Sequence, residues 1–388
     1  MKRQRTGPSD RPEAIVVGAG IAGAMTALAL LRKGCSTTLI DRWEPGHVRA
    51  SSSDVTRILR MIHGRDELYT EWVREARLRW LELQEEMNCT LFVQCGALIL
   101  AGRKHTAWED ETLVTFEKLG VPHFRLGSGE LEKRFPQFCC HGIEYGILET
   151  ESGLLMAKRG LVQTVGLFQR EGGRLVRGRV ETDTDEQLFF DGKPLEADIV
   201  VVAAGPWLGG LFPRSIKPIV KVVRQDIVYT STPDSETGFD ASRMPCWVDH
   251  GYGGYGTPSV EGSGVKAAIA WAETVIDLDD DERVVDDSAF HRTRQYVRHR
   301  FPGLVGQRVV DQKACQITTT PDTHFILDFH PWHGNVLVVG GCSGHLFKHG
   351  PVVGEFAAGV AMREWGTPKR FKIGKRSELS VADSPSGR

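Results

Sequence analysis

The chain has 388 residues, 41% of them hydrophobic and 25% charged, with a formal net charge of −2. That length exceeds one ordinary hydrophobic core and predicts about two domains, and the charge balance gives no reason to expect nucleic acid or an anionic membrane as a partner. The eight cysteines form no CxxC pair and no Cys/His cluster at zinc spacing, which predicts reduced thiols, no metal centre and a cytoplasmic protein.

The basic residues Lys2, Arg3 and Arg5 read as a short disordered tail. The apolar run Ala14 to Leu31 that follows has the hydropathy of a signal or a membrane span, but it carries Gly18, Gly20 and Gly23 and leads into a charged turn, Arg32-Lys33. It reads instead as strand (Ala14 to Val17), turn, helix (Ile21 to Leu31) and a second strand (Thr37 to Ile40) ending at Asp41.

Gly18-Ala19-Gly20-Ile21-Ala22-Gly23 matches G-x-G-x-x-G in its proper context, between a strand and a helix. Gly18 serves the tight turn, Gly20 lets the backbone approach a pyrophosphate, and Gly23 permits close helix–strand packing. The helix N-terminus offers partial positive charge to the phosphates. Asp41, with Arg42 beside it, lies about 20 residues on, where an acceptor for a ribose hydroxyl belongs. The motif alone does not separate FAD from NAD; its early position and the later strand–turn motifs favour FAD.

Residues 66–87 predict a scaffold helix with Tyr69, Trp72, Val73, Ala76, Trp80, Leu83 and Met87 on one face. Strands are expected at Thr90 to Val93 and Ala97 to Ala101, and helices at 107–119 and 286–300. Asp198 to Ala203 is an apolar run entering Ala204-Gly205-Pro206-Trp207. Asn335 to Val339 is another, entering Gly340-Gly341-Cys342-Ser343-Gly344, with a helix near Pro351. The tail from about Lys369 is polar and expected to be loosely held. There is no internal repeat. The fold class expected is α/β, a Rossmann-like domain with an inserted, β-rich substrate domain of α+β character. Its cofactor part is expected at 1–90, 146–217 and 316–388, and its cap at 91–145 and 218–315.

Three blocks carry a family resemblance. Lys313 to Asp328 with His330-Pro331, Gly341 to Lys348 with Gly354-Glu355, and Asp54 to Arg60 together resemble the monomeric sarcosine oxidase family, whose relatives include pipecolate and fructosyl amino acid oxidases. The resemblance runs from about residue 13 to 360. It implies FAD, attached through a thioether at Cys315, and oxidation of the C–N bond of a small amino acid by O2, with an imine and hydrogen peroxide as products. It implies a monomer acting on a small molecule.

Residue by residue, it implies that Arg60 and Lys348 clamp the substrate carboxylate, Arg57 supports the flavin electrostatically, Lys266 promotes the reaction with oxygen, and Tyr255 lines the substrate cavity. The flavin nucleotide is expected against Gly18 to Gly23, Asp41, Arg42, Ser51, Ser52, Thr56, Val180, Ala204, Gly205, Trp207 and Cys315. The turn Gly341, Gly344, His345, Leu346, Phe347 and Lys348 is expected along its pyrimidine edge. Such assignments suit the chemistry: an Arg grips a carboxylate with two parallel hydrogen bonds, a Lys adds a point charge, and a cation near the ring stabilises superoxide.

The chain also departs from the family pattern. Ala270 stands for a histidine four residues after the lysine, Ile317 for a tyrosine two after the cysteine, and Ser52-Ser53-Asp54-Val55 for His-His-Gly-Asp. The departures predict an amino acid other than sarcosine. A flavin dehydrogenase with another acceptor, a nicotinamide enzyme and a non-enzymatic flavin protein are the alternatives.

Overall fold

The computed structural model describes residues 11–102, 107–233, 237–270, 274–278, 282–374 and 376. The basic N-terminal tail lies outside them. The glycine motif begins the architecture. Glu13–Val17 is a buried strand, Ile21–Arg32 the helix and Ser36–Asp41 the next strand. Among the described residues a six-stranded sheet runs in the order Ile326–Phe329, Val336–Gly340, Ile199–Val202, Glu13–Val17, Ser36–Asp41, Arg174–Arg177. Its central pairs are parallel, with Val16 opposite both Val201 and Leu39. Only Ile326–Phe329 runs antiparallel to its neighbour. Parallel strands covered on both faces explain the unbroken apolar runs that mark them in the sequence.

The helix Ile21–Arg32 packs on the helix Gly350–Ala361, and glycine makes the approach possible. A Cβ at Gly354 would lie 2.5 Å from Met25. Trp80, fully buried on the helix Glu67–Glu86, ties this layer to the turn before it, its indole N–H donating to the Lys348 carbonyl at 2.9 Å. The helix Glu67–Glu86 is capped by Asp66, which accepts from the Tyr69 amide at 3.3 Å.

A second, eight-stranded sheet takes the order Val309–Thr319, Lys221–Thr230, Val265–Ile269, Gly254–Thr257, Cys246–Asp249, Ala97–Gly102, Ile143–Glu149, His123–Gly127. It is antiparallel except where Cys246–Asp249 meets Ala97–Gly102. Two strands run through the positions expected as domain boundaries: Ile143–Glu149 spans 145/146, and Val309–Thr319 spans 315/316.

Two expectations need correction. Only Phe92–Val93 of the Thr90 to Val93 stretch is strand. The segment from Lys369 is not loosely held as far as it is described. Phe371 is fully buried, and Arg376 is buried and donates to Asp322 at 3.1 Å and to the Phe325 carbonyl at 2.6 Å. One aromatic side chain and one arginine anchor a stretch whose average polarity suggested otherwise. Residues 377–388 lie outside the described residues.

Candidate active site

Two cavities meet between the sheets, and Ser51 and Ser52 line both. The larger, about 600 Å³, lies at the carboxyl ends of the parallel strands. Its walls include Gly18, Ala19, Gly20, Asp41, Arg42, Val180, Ala204, Gly205 and Trp207. The three motif glycines do different work. A Cβ on Gly18 would come 2.4 Å from the Ala203 carbonyl, and one on Gly23 would come 1.8 Å from the Gly18 carbonyl. Gly20 faces open space, with only the Ser52 hydroxyl at 3.6 Å.

A dinucleotide fits this cradle. Gly20 leaves room over the helix N-terminus, Gly205 faces the cavity with nothing within 4 Å of its Cβ position, and Trp43 and Trp207 lie 5.1 Å apart at the far end. Asp41 accepts from the Ala19 amide at 2.6 Å and the Trp43 amide at 2.8 Å, which fixes its carboxylate at the strand end. Ser52 Oγ accepts from the Ile21 amide at 3.2 Å, the first N–H of the helix.

The smaller cavity, about 230 Å³, gathers Arg57, Arg60, Tyr255, Lys266, Cys315, Gly344, His345, Leu346, Phe347 and Lys348. Every residue expected to carry the chemistry is in this wall, although they come from four separate stretches. Ile21 also reaches it, whereas Ala22, Gly23, Thr56 and Gly341 do not line either cavity. Thr56 instead hydrogen-bonds Thr257 across the sheets at 2.9 Å. Gly341, Ser343 and Gly344 all have positive φ (61°, 42° and 79°), so the turn after Val336–Gly340 coils back on itself. It delivers Lys348 to the cavity just before the helix Gly350–Ala361.

The charges divide into two groups. Asp54, completely buried, accepts from Lys266 Nζ and from Arg57, and Tyr229 donates to its other oxygen at 2.6 Å. Lys266 also donates to the Thr56 carbonyl at 2.8 Å, and Arg57 to the Ser51 carbonyl at 2.7 Å. These cations hold the Asp54 carboxyl far below the usual carboxylate range, against the effect of burial. Cys315 is beside them. Burial pushes its thiol up, while Arg57 and Lys266 pull it down.

Arg60 and Lys348 form the second group. Arg60 donates to the Ile62 carbonyl at 2.5 Å and lies 5.9 Å from the Trp108 ring. Lys348 is buried, and its Nζ makes no hydrogen bond or ion pair among the described residues. Burial first, and Arg60 second, push the Lys348 amine well below its ordinary value. Two basic groups on one wall, with the buried Glu149 acting on both only from beyond ion-pair distance, suit an anionic group on the ligand.

Sequence reasoning missed several groups. His63 and His349 are two of them, and with His345, which the sequence did single out, they bring ligand atoms within 4.8 Å of one another. Burial, Arg60 and Lys348 push all three rings well toward the neutral form, and the same two cations oppose a bound metal dication. Gln225, Ile227, Ile58 and His250 also line the cavity. None carries a local pattern that would single it out. Of the two tyrosines near 255, only Tyr255 lines the cavity, while Tyr252 is an exposed side chain.

The sequence model of the FAD dependent oxidoreductase family matches residues 13–359. The chain belongs to that family. It is 28% identical over 362 residues to the peroxisomal sarcosine oxidase of Mus musculus, covering 90% of this chain and 92% of the relative. It is 28% identical over 365 residues to the monomeric sarcosine oxidase of Bacillus sp. (strain B-0618), with the same coverage. The L-proline dehydrogenase of P. horikoshii superposes with a TM-score of 0.81 at 18% identity, over 94% of this chain and 97% of that one, and so shares the fold. The family membership supplies FAD as the cofactor. Among the described residues no helix is long and apolar enough to cross a membrane.

Proposed function

We propose that this FAD-dependent oxidoreductase is an oxidase acting on the C–N bond of a small amino acid with a side chain or N-substituent bulkier than that of sarcosine. The observation that carries the proposal is the Arg60–Lys348 pair, two basic groups in the cavity wall that make no ion pair among the described residues, the buried Glu149 acting on both only from longer range. A carboxylate ligand neutralises both, and Arg60 can hold it through two parallel hydrogen bonds.

FAD, when bound, supplies a two-electron acceptor for the C–H bond beside the nitrogen, and transfer of those electrons to O2 gives hydrogen peroxide. The chain's own residues do the rest. Arg60 and Lys348 fix the acid end, so the carbon beside the nitrogen is held in one place. Ile58, Ile227, Ile317 and Tyr255 give the cavity an apolar wall that excludes water and receives the substituent. Lys266, paired with Asp54, lies near Cys315, where a cation favours reduction of oxygen. Cys315 is the proposed attachment point for the flavin.

The sarcosine oxidases among the relatives support oxygen as acceptor. A dehydrogenase is the second reading, and the Asp54–Lys266 ion pair favours it because the carboxylate offsets the lysine's field. The test is to reduce the purified holoenzyme anaerobically with a panel of N-alkyl, cyclic and primary amino acids, then admit air or an artificial dye. Bleaching by an amino acid and prompt recovery in air with peroxide formed are expected. Recovery with the dye alone would establish the dehydrogenase, and no bleaching across the panel would refute both.

A further inference from the structure

An amino acid arrives with its nitrogen protonated, and a protonated nitrogen has no lone pair to support loss of hydride from the neighbouring carbon. Some group in the cavity must take that proton. The wall offers few. Lys266 already shares its protons with Asp54. Asp249 is held by Arg300 through contacts of 2.9 and 2.8 Å. His345 donates Nε2–H to the Thr323 carbonyl at 3.1 Å and leaves Nδ1 unpartnered among the described residues, but no carboxylate faces its ring, and burial, Lys348 and Arg60 oppose any positive charge there. Tyr255 is a buried phenol.

His250 differs from all of these. It sits in the turn between Cys246–Asp249 and Gly254–Thr257, in the cavity wall. Its Nδ1 lies 2.6 Å from Oε1 of Glu109, a carboxylate only 1% exposed on the helix Ala107–Leu119. Nε2 makes no hydrogen bond among the described residues. The ring stands edge-on to Trp108 at 4.7 Å, and Arg60 lies 5.9 Å from the same indole. So the imidazole is oriented by a buried carboxylate, leaves one nitrogen for the cavity, and is one aromatic ring away from the carboxylate clamp. The charged groups around it are Glu109 from the helix, Asp249 with its partner Arg300, and Arg60 across Trp108.

We propose that His250 is the base that accepts the substrate's ammonium proton, with Glu109 as its positioning residue. This rests on the amino acid reading of the cavity. One N–H bond of the ammonium breaks and one forms at Nε2. The lone pair stays on the substrate nitrogen, and the imidazolium gains the adjacent Glu109 carboxylate as counter-charge before the proton leaves to solvent.

The test compares wild-type holoenzyme with His250→Gln and Glu109→Gln, reading anaerobic flavin bleaching by an amino acid across pH. Propionate, which has the acid group and no amine, is titrated by flavin absorbance to check the clamp. H250Q should slow bleaching by roughly 10²-fold near neutral pH, the usual worth of a positioned base. The deficit should close as pH approaches the substrate amine's own pKa, where the ammonium loses its proton unaided. Propionate should bind H250Q as it binds wild type, and E109Q should show a smaller deficit of the same shape. A deficit equal at every pH, or none at all, would overturn the proposal, the first by showing a purely structural role. Failure of every amino acid to bleach the wild type would instead sink the reading of the cavity.

Discussion

Asp54 and Lys266 form an ion pair with side chains 0% and 3% exposed, joining the strand Thr56–Leu59 region to the large sheet. Arg57 and Tyr229 share the same carboxylate. A group with this many donors is a structural hub as well as an electrostatic one. Replacing Asp54 with Ala leaves two cations in low dielectric without their partner, which should cost about 3–5 kcal/mol of stability. Its carboxyl is held well below its unfolded value, so the contribution is present above about pH 4, where the unfolded carboxyl ionises, and fades as the pH falls toward the folded pKa. Urea denaturation of wild type and D54A should therefore differ by a constant amount from pH 5 to 8 and converge below pH 4. Convergence at higher pH would refute the hub.

The Lys348 amine, pushed down by burial and Arg60, gains from an anionic ligand beside it. Above its folded pKa it is neutral in the free protein, and a bound carboxylate raises that pKa and draws a proton in. Calorimetry of propionate binding in buffers of different ionisation enthalpy should show proton uptake by wild type in that pH range. Lys348→Met should abolish the uptake and weaken binding by about 10- to 100-fold, the worth of a charge-assisted hydrogen bond. Uptake that survives in K348M would move the assignment to another group.

The sequence made much of this site legible because its parts are local. The G-x-G-x-x-G turn, the Thr56-Arg57 block and the Gly341 to Lys348 turn each announce themselves over a few residues. The first and last of these are brought to the adjoining cavities by the strand order, since Val336–Gly340 and Glu13–Val17 both flank Ile199–Val202. Partners made only by topology stayed hidden. Glu109 and His250 are 141 residues apart, and Asp54 and Lys266 are 212 apart. No periodicity links such residues; the packing of the helix Ala107–Leu119 and of the segment before Thr56–Leu59 against the large sheet does. The short strand Phe92–Val93 shows the opposite failure, a β-prone stretch shortened by its tertiary surroundings.

Gly20 and Gly23 separate cofactor binding from folding. A methyl group on Gly23 would sit 1.8 Å from the Gly18 carbonyl, a backbone atom that has little room to retreat. Gly23→Ala should destabilise the protein by about 1–3 kcal/mol through overpacking. Gly20 has φ −71° and ψ 177°, which alanine adopts without strain, and its Cβ would point into the open cradle. Gly20→Ala should keep the unfolding midpoint of flavin-free protein and lose FAD affinity. The check is thermal unfolding of the flavin-free forms alongside FAD titration. Equal loss of stability in both variants would contradict the division of labour.

Attachment of a flavin at Cys315 requires its thiolate, and the surroundings oppose one another. Burial raises the thiol, Arg57 and Lys266 lower it, and Asp54 raises it again. The net shift is upward, so thiolate is scarce at neutral pH and the linkage should form slowly. Its rate should climb with pH until the thiol ionises. Arg57→Gln should slow attachment further, because it removes the nearest opposing cation. FAD added to flavin-free protein gives the measurement: acid-precipitated samples taken over time and read for flavin fluorescence in a denaturing gel. Wild type should accumulate a fluorescent band, faster at higher pH. R57Q should lag behind it, and Cys315→Ala should stay dark while still binding FAD reversibly. A fluorescent band in C315A would place the linkage elsewhere. A rate in R57Q equal to wild type would show that the guanidinium does not act on the thiol.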